Sequence, residues 1–247
     1  MKIISTVPSQ TELLYDLGLR DEVIGITKFC IHPAVWSQTK TRIGGTKNLD
    51  INKITELKPD FILANKEENV KEQIEMLSSY FTTYVSDVSN LEDAIEMIAD
   101  VGELFRKKFK ARRIIKQINN NFNNFKLKTA NNKPKTVLYL IWKNPYMTVG
   151  SDTFIHDMIT RCGLINVFGE MKRYPEITVE QIAEIKPDFI FLSSEPFPFK
   201  EEHIKELQAI VPTSKTLLVN GEYFSWYGSR LIKSVDYFTD LINSNLG

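Results

Sequence analysis

Cysteine, histidine and glycine are scarce in this chain of 247 residues, and each scarcity removes a class of function. With two cysteines, Cys30 and Cys162, one in each half, a disulfide scaffold is out of reach and two free thiols are expected. The three histidines, His32, His156 and His203, lie far apart, and no pair of His, Cys, Asp or Glu has zinc-like spacing. No metal site of the protein's own and no intrinsic cofactor is therefore expected. The eleven glycines form no Gly-x-Gly-x-x-Gly, no Gly-x-x-x-x-Gly-Lys-Ser/Thr and no Gly-x-Ser-x-Gly. No catalytic residue stands out, and no enzyme is expected. Long hydrophobic runs are missing too, since nothing approaches the roughly 18 apolar residues of a membrane span. So is net charge, because 31 Lys and Arg balance 31 Asp and Glu. That balance gives no overall attraction to nucleic acid, and a monomer without a nucleic-acid partner is the expectation.

What the sequence does have is an uninterrupted centre. Leu91 to Lys126 holds no proline and one glycine. Its apolar residues Leu91, Ala94, Ile95, Ile98, Val101, Leu104 and Phe105, then Ile115, Ile118, Phe122 and Phe125, recur at steps of three and four, the spacing of one helical stripe. Ser89 or Asn90 can cap it, with Glu92 and Asp93 facing the positive end of the helix dipole. As one helix it would run roughly 54 Å, too long for one small domain, and so it reads as a beam between two lobes. A break near Gly102 or Lys110 would give two shorter helices instead. The basic cluster Arg106, Lys107, Lys108, Lys110, Arg112 and Arg113 reads as a solvated face.

The segments on either side echo one another. Asp50 to Leu63 and Thr178 to Leu192 each contain an amphipathic helix, a Lys-Pro-Asp turn at Lys58 or Lys186, and an apolar strand. The repeat predicts two similar lobes: an N-terminal α/β lobe at 1–90, a bridging helix at 91–126 and a C-terminal α/β lobe at 127–247. The polar turn Thr129 to Pro134, with Asn131-Asn132, would mark the boundary. Strands alternating with helices at short intervals predict parallel-type sheets flanked by helices. The first strand is expected at Lys2–Thr6, followed by a helix capped by Ser9 or Thr11 and ended by Gly18.

In such sheets ligands bind beyond the carboxyl ends of the strands. With two lobes on a beam, those edges would face each other across a cleft. The loops there are rich in aromatics: Phe29 in the first lobe, and Trp142, Tyr146, Tyr174, Phe197, Phe199, Tyr223, Phe224, Trp226 and Tyr227 in the second. Such rings suit a large flat apolar ligand with polar edges. His32, beside Pro33, is a candidate ligand contact, although one histidine makes no metal site. Asn65-Lys66-Glu67-Glu68-Asn69 reads equally as a polar rim for that ligand or as a helix start.

The motifs Val7-Pro8-Ser9-Gln10-Thr11-Glu12-Leu13, Leu57-Lys58-Pro59-Asp60 with its echo at Ile185, Asn144-Pro145-Tyr146 before Gly150, and Tyr223-Phe224 with Ser229-Arg230 together resemble the class III periplasmic binding proteins of ABC importers. Within that helical-backbone metal receptor group, the vitamin B12-binding receptors are most similar. The resemblance spans nearly the whole chain. It implies two α/β lobes bridged by one long helix, with cobalamin first, and haem or a ferric siderophore second, held between them for delivery to an ABC permease. By position it implies ligand contacts at Phe29 and His32 in the first lobe and at Phe224 and Arg230 in the second. Thr46 stands where B12 receptors can present a tryptophan. Permease docking would use Glu180; its first-lobe counterpart appears as Asn52, with Asp50 two residues away.

The resemblance implies a periplasmic or surface-anchored place. Met1 to Ser9 reads as a strand entry with no secretory leader and no lipid-attachment cysteine, which leaves cytoplasmic placement open. The alternative function is a cytoplasmic corrinoid- or tetrapyrrole-handling protein or enzyme on the same fold. A plain interaction module, with the aromatic loops as its binding surface, is the other rival.

Overall fold

The computed structural model describes residues 1–129 and 133–245. Asn131 and Asn132, expected at the lobe boundary, lie outside the described residues. The chain divides into two compact units. Unit 1 takes Met1–Val88, Glu92–Ile118 and Tyr227–Ile232, and unit 2 takes Ser89–Leu91, Asn119–Trp226 and the chain from Lys233 onward.

Unit 1 contains β1 (Ile3–Ser5), α1 (Pro8–Asp16), β2 (Val23–Ile26), α2 (Ala34–Thr39), β3 (Thr41–Arg42), β4 (Gly44–Gly45), β5 (Asn48–Leu49), α3 (Ile51–Leu57), β6 (Phe61–Asn65), α4 (Lys71–Ser78) and β7 (Thr82–Ser86). Its sheet is parallel throughout, in the order β3-β2-β1-β6-β7. Next come α5 (Leu91–Leu104) and α6 (Lys108–Thr129). Unit 2 contains β8 (Lys135–Leu140), β9 (Tyr146–Met147), α7 (Phe154–Arg161), β10 (Leu164–Asn166), β11 (Glu176–Ile177), α8 (Val179–Ile185), β12 (Phe189–Ser193), α9 (Glu201–Ile210), β13 (Lys215–Val219), α10 (Glu222–Ser225) and, from Lys233 onward, α11 (Leu231–Asn245). Its main sheet, also parallel, runs β10-β8-β12-β13. In both units the chain builds outward from the first strand in one direction and then the other. The switch points lie between β1 and β6 and between β8 and β12.

The Lys-Pro-Asp turns explain why the two halves match. Lys58 (φ 47°, ψ 64°) and Lys186 (φ 45°, ψ 61°) end α3 and α8 in the left-handed conformation, and proline then bars the helix from continuing. The aspartate does the rest. Asp60 Oδ2 accepts the backbone N–H of Lys2 at 2.7 Å, and Asp188 Oδ2 accepts that of Thr136 at 2.8 Å. Each carboxylate thus pins the repeat strand to the first strand of its own unit. The Thr136 N–H is the main reason that the Asp188 carboxyl sits below its ordinary range, with Lys135 adding to it. A depressed folded pKa stabilises above the unfolded value of roughly 3.9 and stops doing so as pH falls through the folded one. Asp188 is part exposed, so the contribution is at most about 1 kcal/mol. Urea unfolding of Asp188→Asn beside the parent is expected to show that gap at neutral pH and its loss as the carboxyl is protonated in acid; a gap that grew in acid would contradict the assignment.

The central segment is not one beam. The expected helix 91–126 is two helices, because Arg106 adopts φ 57°. The Arg106 N–H reaches Glu103 O and the Lys107 N–H reaches Gly102 O, which closes α5 in a Schellman motif without glycine at its turning point. Gly102 acts by size instead, since a methyl group there would lie 2.3 Å from the Ala111 Cβ at the start of α6. The long helix that bridges the lobes is α6, whose residues to Ile118 belong to unit 1 and from Asn119 to unit 2. At the other end of α5 the Leu91 N–H is received by Asp157 Oδ2 at 2.8 Å. In α1, Ser9 and Thr11 lie inside the helix rather than capping it; Val7 is the N-cap and Pro8 opens the first turn, while Gly18 (φ 82°) closes the far end as expected.

Ile4, Ile43, Leu49, Ile54, Ile62, Ala64, Ile74 and Leu77 make the core on one face of the unit 1 sheet. In unit 2 the counterpart joins Leu138, Leu140, Ile182, Ile190, Leu192, Phe199, Leu207 and Val211. Each of these Ile, Leu, Val and Phe side chains removed from water contributes about 1.5–3 kcal/mol. Cys30 and Cys162 are free buried thiols in different units.

Candidate functional site

Each switch point opens a crevice at the carboxyl ends of its strands, where loops from both directions meet. In unit 1 the floor is a buried polar network. Thr6 Oγ1 lies 2.8 Å from both Leu63 O and Asn69 Oδ1; Gln10 Nε2 donates to Ala64 O at 3.1 Å and to Ser86 Oγ at 2.7 Å. Asn65 belongs to this floor and is buried; its Nδ2 donates to Ser86 O at 3.0 Å, and its Oδ1 receives the Glu67 N–H at 2.9 Å. Asn65 therefore shapes its own loop rather than projecting from it. Asn69 Nδ2 reaches the backbone oxygen of Thr46 at 3.0 Å, and Thr46 is buried.

Above this floor Phe29 is half exposed. Its ring edge lies over Gly45, where an added Cβ would meet Phe29 Cε2 at 3.2 Å, and Lys28 Nζ sits 5.0 Å from the ring centroid. His32 is part buried, two residues before α2. Phe29, Thr46 and the Asn65–Asn69 loop are thus brought together on one edge.

Arg230, expected in the second lobe, belongs to unit 1. Its guanidinium is buried in a two-pronged pair with Glu12, Nε to Oε2 at 2.8 Å and Nη2 to Oε1 at 3.1 Å. That commits the guanidinium to an internal partner. Gly228 (φ 112°), with Ser9 O 3.2 Å from where a Cβ would stand, lets this segment lie against α1.

In unit 2, Trp142 follows β8 and Phe197 follows β12, and their rings meet edge to face across the switch point, centroids 5.7 Å apart. Trp142 keeps 40% of its surface exposed, and Phe197, part buried, also packs on Phe199 and His203. Tyr146 is buried; its hydroxyl donates to Glu206 Oε1 at 2.8 Å. The carboxyl of Glu206 is held below its ordinary range by Lys143 first and Tyr146 second. Tyr174 is part exposed, with Arg173 5.7 Å from its centroid.

The cluster Tyr223 to Tyr227 differs from the expectation of a row of ligand-facing rings. Phe224 has no exposed surface and packs on Tyr139, Phe191 and Phe238 in the core of unit 2. A ring with no free face has none to offer a ligand. Tyr223 stacks on Tyr237 at 4.5 Å. Trp226 is buried, and its indole N–H donates to Glu195 Oε1 at 2.9 Å, which also receives Ser225 Oγ at 2.6 Å. Glu195, unmarked in the sequence by any motif, is the residue that ties this loop down.

Glu180 is exposed in the first turn of α8, its carboxyl lowered by the Thr178 hydroxyl. Asp50 is exposed too, but its Oδ1 caps α3 by accepting the Lys53 N–H at 3.0 Å. Among the described residues no group of three or more His, Cys, Asp or Glu is placed to hold a metal ion, and no helix is long and apolar enough to cross a membrane.

A vitamin B12-binding protein of Photorhabdus laumondii is 22% identical, over 99% of this chain and 89% of its own length. An ABC transporter substrate-binding lipoprotein of Bacillus subtilis, YvrC, itself uncharacterized, is 28% identical over 98% of this chain and 79% of its own. The crystal structure of the periplasmic vitamin B12 binding protein BtuF of Vibrio cholerae superposes with a TM-score of 0.84 at 20% identity, covering 99% of this chain and 97% of that one. The periplasmic binding protein family matches residues 3–216, and this chain belongs to it, as a binding protein and not an enzyme.

Proposed function

We propose that this chain is the solute-binding protein of an ABC-type importer, and that the loops at the carboxyl edges of its two sheets hold a metal-bearing macrocycle or chelate. Cobalamin is the first candidate, and haem or a ferric siderophore the second. The observation that carries this reading is the pair of aromatic rings left open at those edges, Phe29 at 50% exposure and Trp142 at 40%. A large exposed ring at a strand edge keeps its apolar face unburied until a flat partner covers it, and rigid rings cover such a partner at little entropic cost.

Cobalamin ranks above haem on the strength of the vitamin B12-binding relatives, and the two ligands make different demands on the protein. Protein-bound haem takes an axial ligand from a side chain such as His or Tyr. At these edges the Tyr146 hydroxyl is committed to Glu206, so a haem would draw its axial ligand from His32 or Tyr174. Cobalt in cobalamin arrives with its ligands in place, so the protein need supply faces and hydrogen bonds only. Exposed Glu180 on α8 is the favoured permease contact, with Asp50 on α3 secondary because its carboxylate already caps a helix. A periplasmic or surface-anchored place goes with the family and with the lipoprotein relative, and the cytoplasmic enzyme alternative has no support in either.

Trp142→Ala and Phe29→Ala, measured by equilibrium dialysis against cyanocobalamin, are each expected to weaken binding about tenfold or more, on the order of 1.4 kcal/mol or above. Affinities equal to the parent's in both variants would remove these rings from the site.

A further inference from the structure

The outward face of α6 carries two large apolar side chains that meet solvent. Phe109 and Leu127 are 84% and 76% exposed. Their separation along the helix makes five whole turns at 3.6 residues each, so the two side chains point the same way about 27 Å apart. Ala111, Ile114, Ile118, Phe122 and Phe125 form the buried stripe on the opposite side. Between the two exposed apolar residues, within about 60° of the line that joins them, stand Arg112, Arg113 and Lys116, all exposed. Among the described residues no carboxylate pairs with any of the three; the nearby Glu103 pairs with Lys108, at 3.1 Å.

The sequence around this face is one-sided. Along α6 there are seven lysines and arginines and not one acidic residue, in a chain whose formal charge is zero. A solvated helix face ordinarily mixes both signs and turns its large apolar side chains inward. This face has a large apolar side chain near each end, three cations in its first half and the neutral amides of Asn120, Asn123 and Asn124 in its second.

We propose that the outward face of α6 docks on an anionic lipid bilayer, with Phe109 and Leu127 entering the headgroup boundary while Arg112, Arg113 and Lys116 engage the lipid phosphates. Basic residues combined with Phe and Leu are the composition that binds membrane interfaces, because apolar burial and attraction to anionic headgroups act together. The apolar pair favours a bilayer over a nucleic acid: a leucine offers no flat face on which a base can stack, whereas an aliphatic group does gain by leaving water for lipid. The inference does not depend on which solute the edges of the sheets hold.

Co-sedimentation of the full chain with phosphatidylcholine vesicles, with and without phosphatidylglycerol, tests it. Retention is expected on the anionic vesicles alone, and it should weaken as salt is raised. Arg112→Glu, Arg113→Glu and Lys116→Glu together should weaken it by roughly a hundredfold or more. Phe109→Ala with Leu127→Ala should weaken it several-fold, with an unchanged circular dichroism spectrum and melting temperature because both positions are exposed. The milder set Arg112→Gln, Arg113→Gln and Lys116→Gln serves if the charge reversal perturbs the helix. Absence of the parent from the anionic vesicles at low salt would overturn the proposal, as would full binding by the apolar double variant. Equal affinity for a DNA duplex, indifferent to the apolar pair, would replace it with a general polyanion surface.

Discussion

Phe224→Ala is expected to destabilise the protein by about 3–5 kcal/mol and to lower its melting temperature by roughly 10 °C. The ring has no exposed surface and touches Tyr139, Phe191 and Phe238, which hold it among the sheet strands β8 and β12 and the helix α11. Removing it leaves a cavity whose walls come from three elements, and these cannot all move in to fill it. Ligand affinity, measured well below the melting transition, should change little. Differential scanning calorimetry together with a binding titration checks both parts. A variant that melted within a degree or two of the parent but lost the ligand would put the ring back in the binding site, where the sequence had suggested it.

The second large effect concerns Glu12 and Arg230. Both side chains are nearly excluded from water, at 10% and 5% exposure, and each satisfies the other through two hydrogen bonds. Removing Arg230 strips the buried Glu12 carboxylate of this counterion, so Arg230→Ala should cost about 3–5 kcal/mol, and Glu12→Ala should also destabilise. Replacing both, Glu12→Met with Arg230→Met, should recover most of that loss, because the expense of burying the charges disappears along with their attraction. Chemical denaturation of the two singles and the double completes the cycle. Additive losses would show that the two residues act separately.

The position of this pair gives it a wider role. The chain leaves unit 2 after Trp226, lends Tyr227–Ile232 to unit 1 and returns to unit 2 at Lys233. The pair and the close approach of Gly228 to Ser9 fasten that excursion. An arginine that resembled a ligand contact by its place in a motif is held in an internal ion pair, and affinity for the solute should respond to it only through stability.

Local chemistry made much of the fold readable. The Lys-Pro-Asp turns announce themselves because proline must end a helix and the apolar run behind it must be buried, and β6 and β12 lie where that reasoning put them. The break between α5 and α6 was not readable in the same way. It is made at Arg106, a residue that pays about 1 kcal/mol or more for a left-handed conformation, while Gly102, the visible marker nearby, serves the close contact with Ala111. Strand β10, only three residues long, is too short to show any period.

The candidate site divides along the same line. Phe29 and Trp142 were legible as aromatics on strand-end loops and remain exposed there. Phe224 and Trp226 read as the same kind of loop in sequence but lie in and just after the short helix α10, and composition cannot tell a ring that faces outward from one that turns into the core. The deciding residue is Glu195, which receives the Trp226 and Ser225 donors from a loop about thirty positions earlier. Pairings over that distance belong to tertiary structure.

The most direct test of the account is a visible-absorption titration of the purified protein with cyanocobalamin, in parallel with haemin and a ferric siderophore, followed by passage over a desalting column. The account predicts that cobalamin shifts its spectrum and leaves the column with the protein at one per chain. Passage of all three compounds without retention would contradict it.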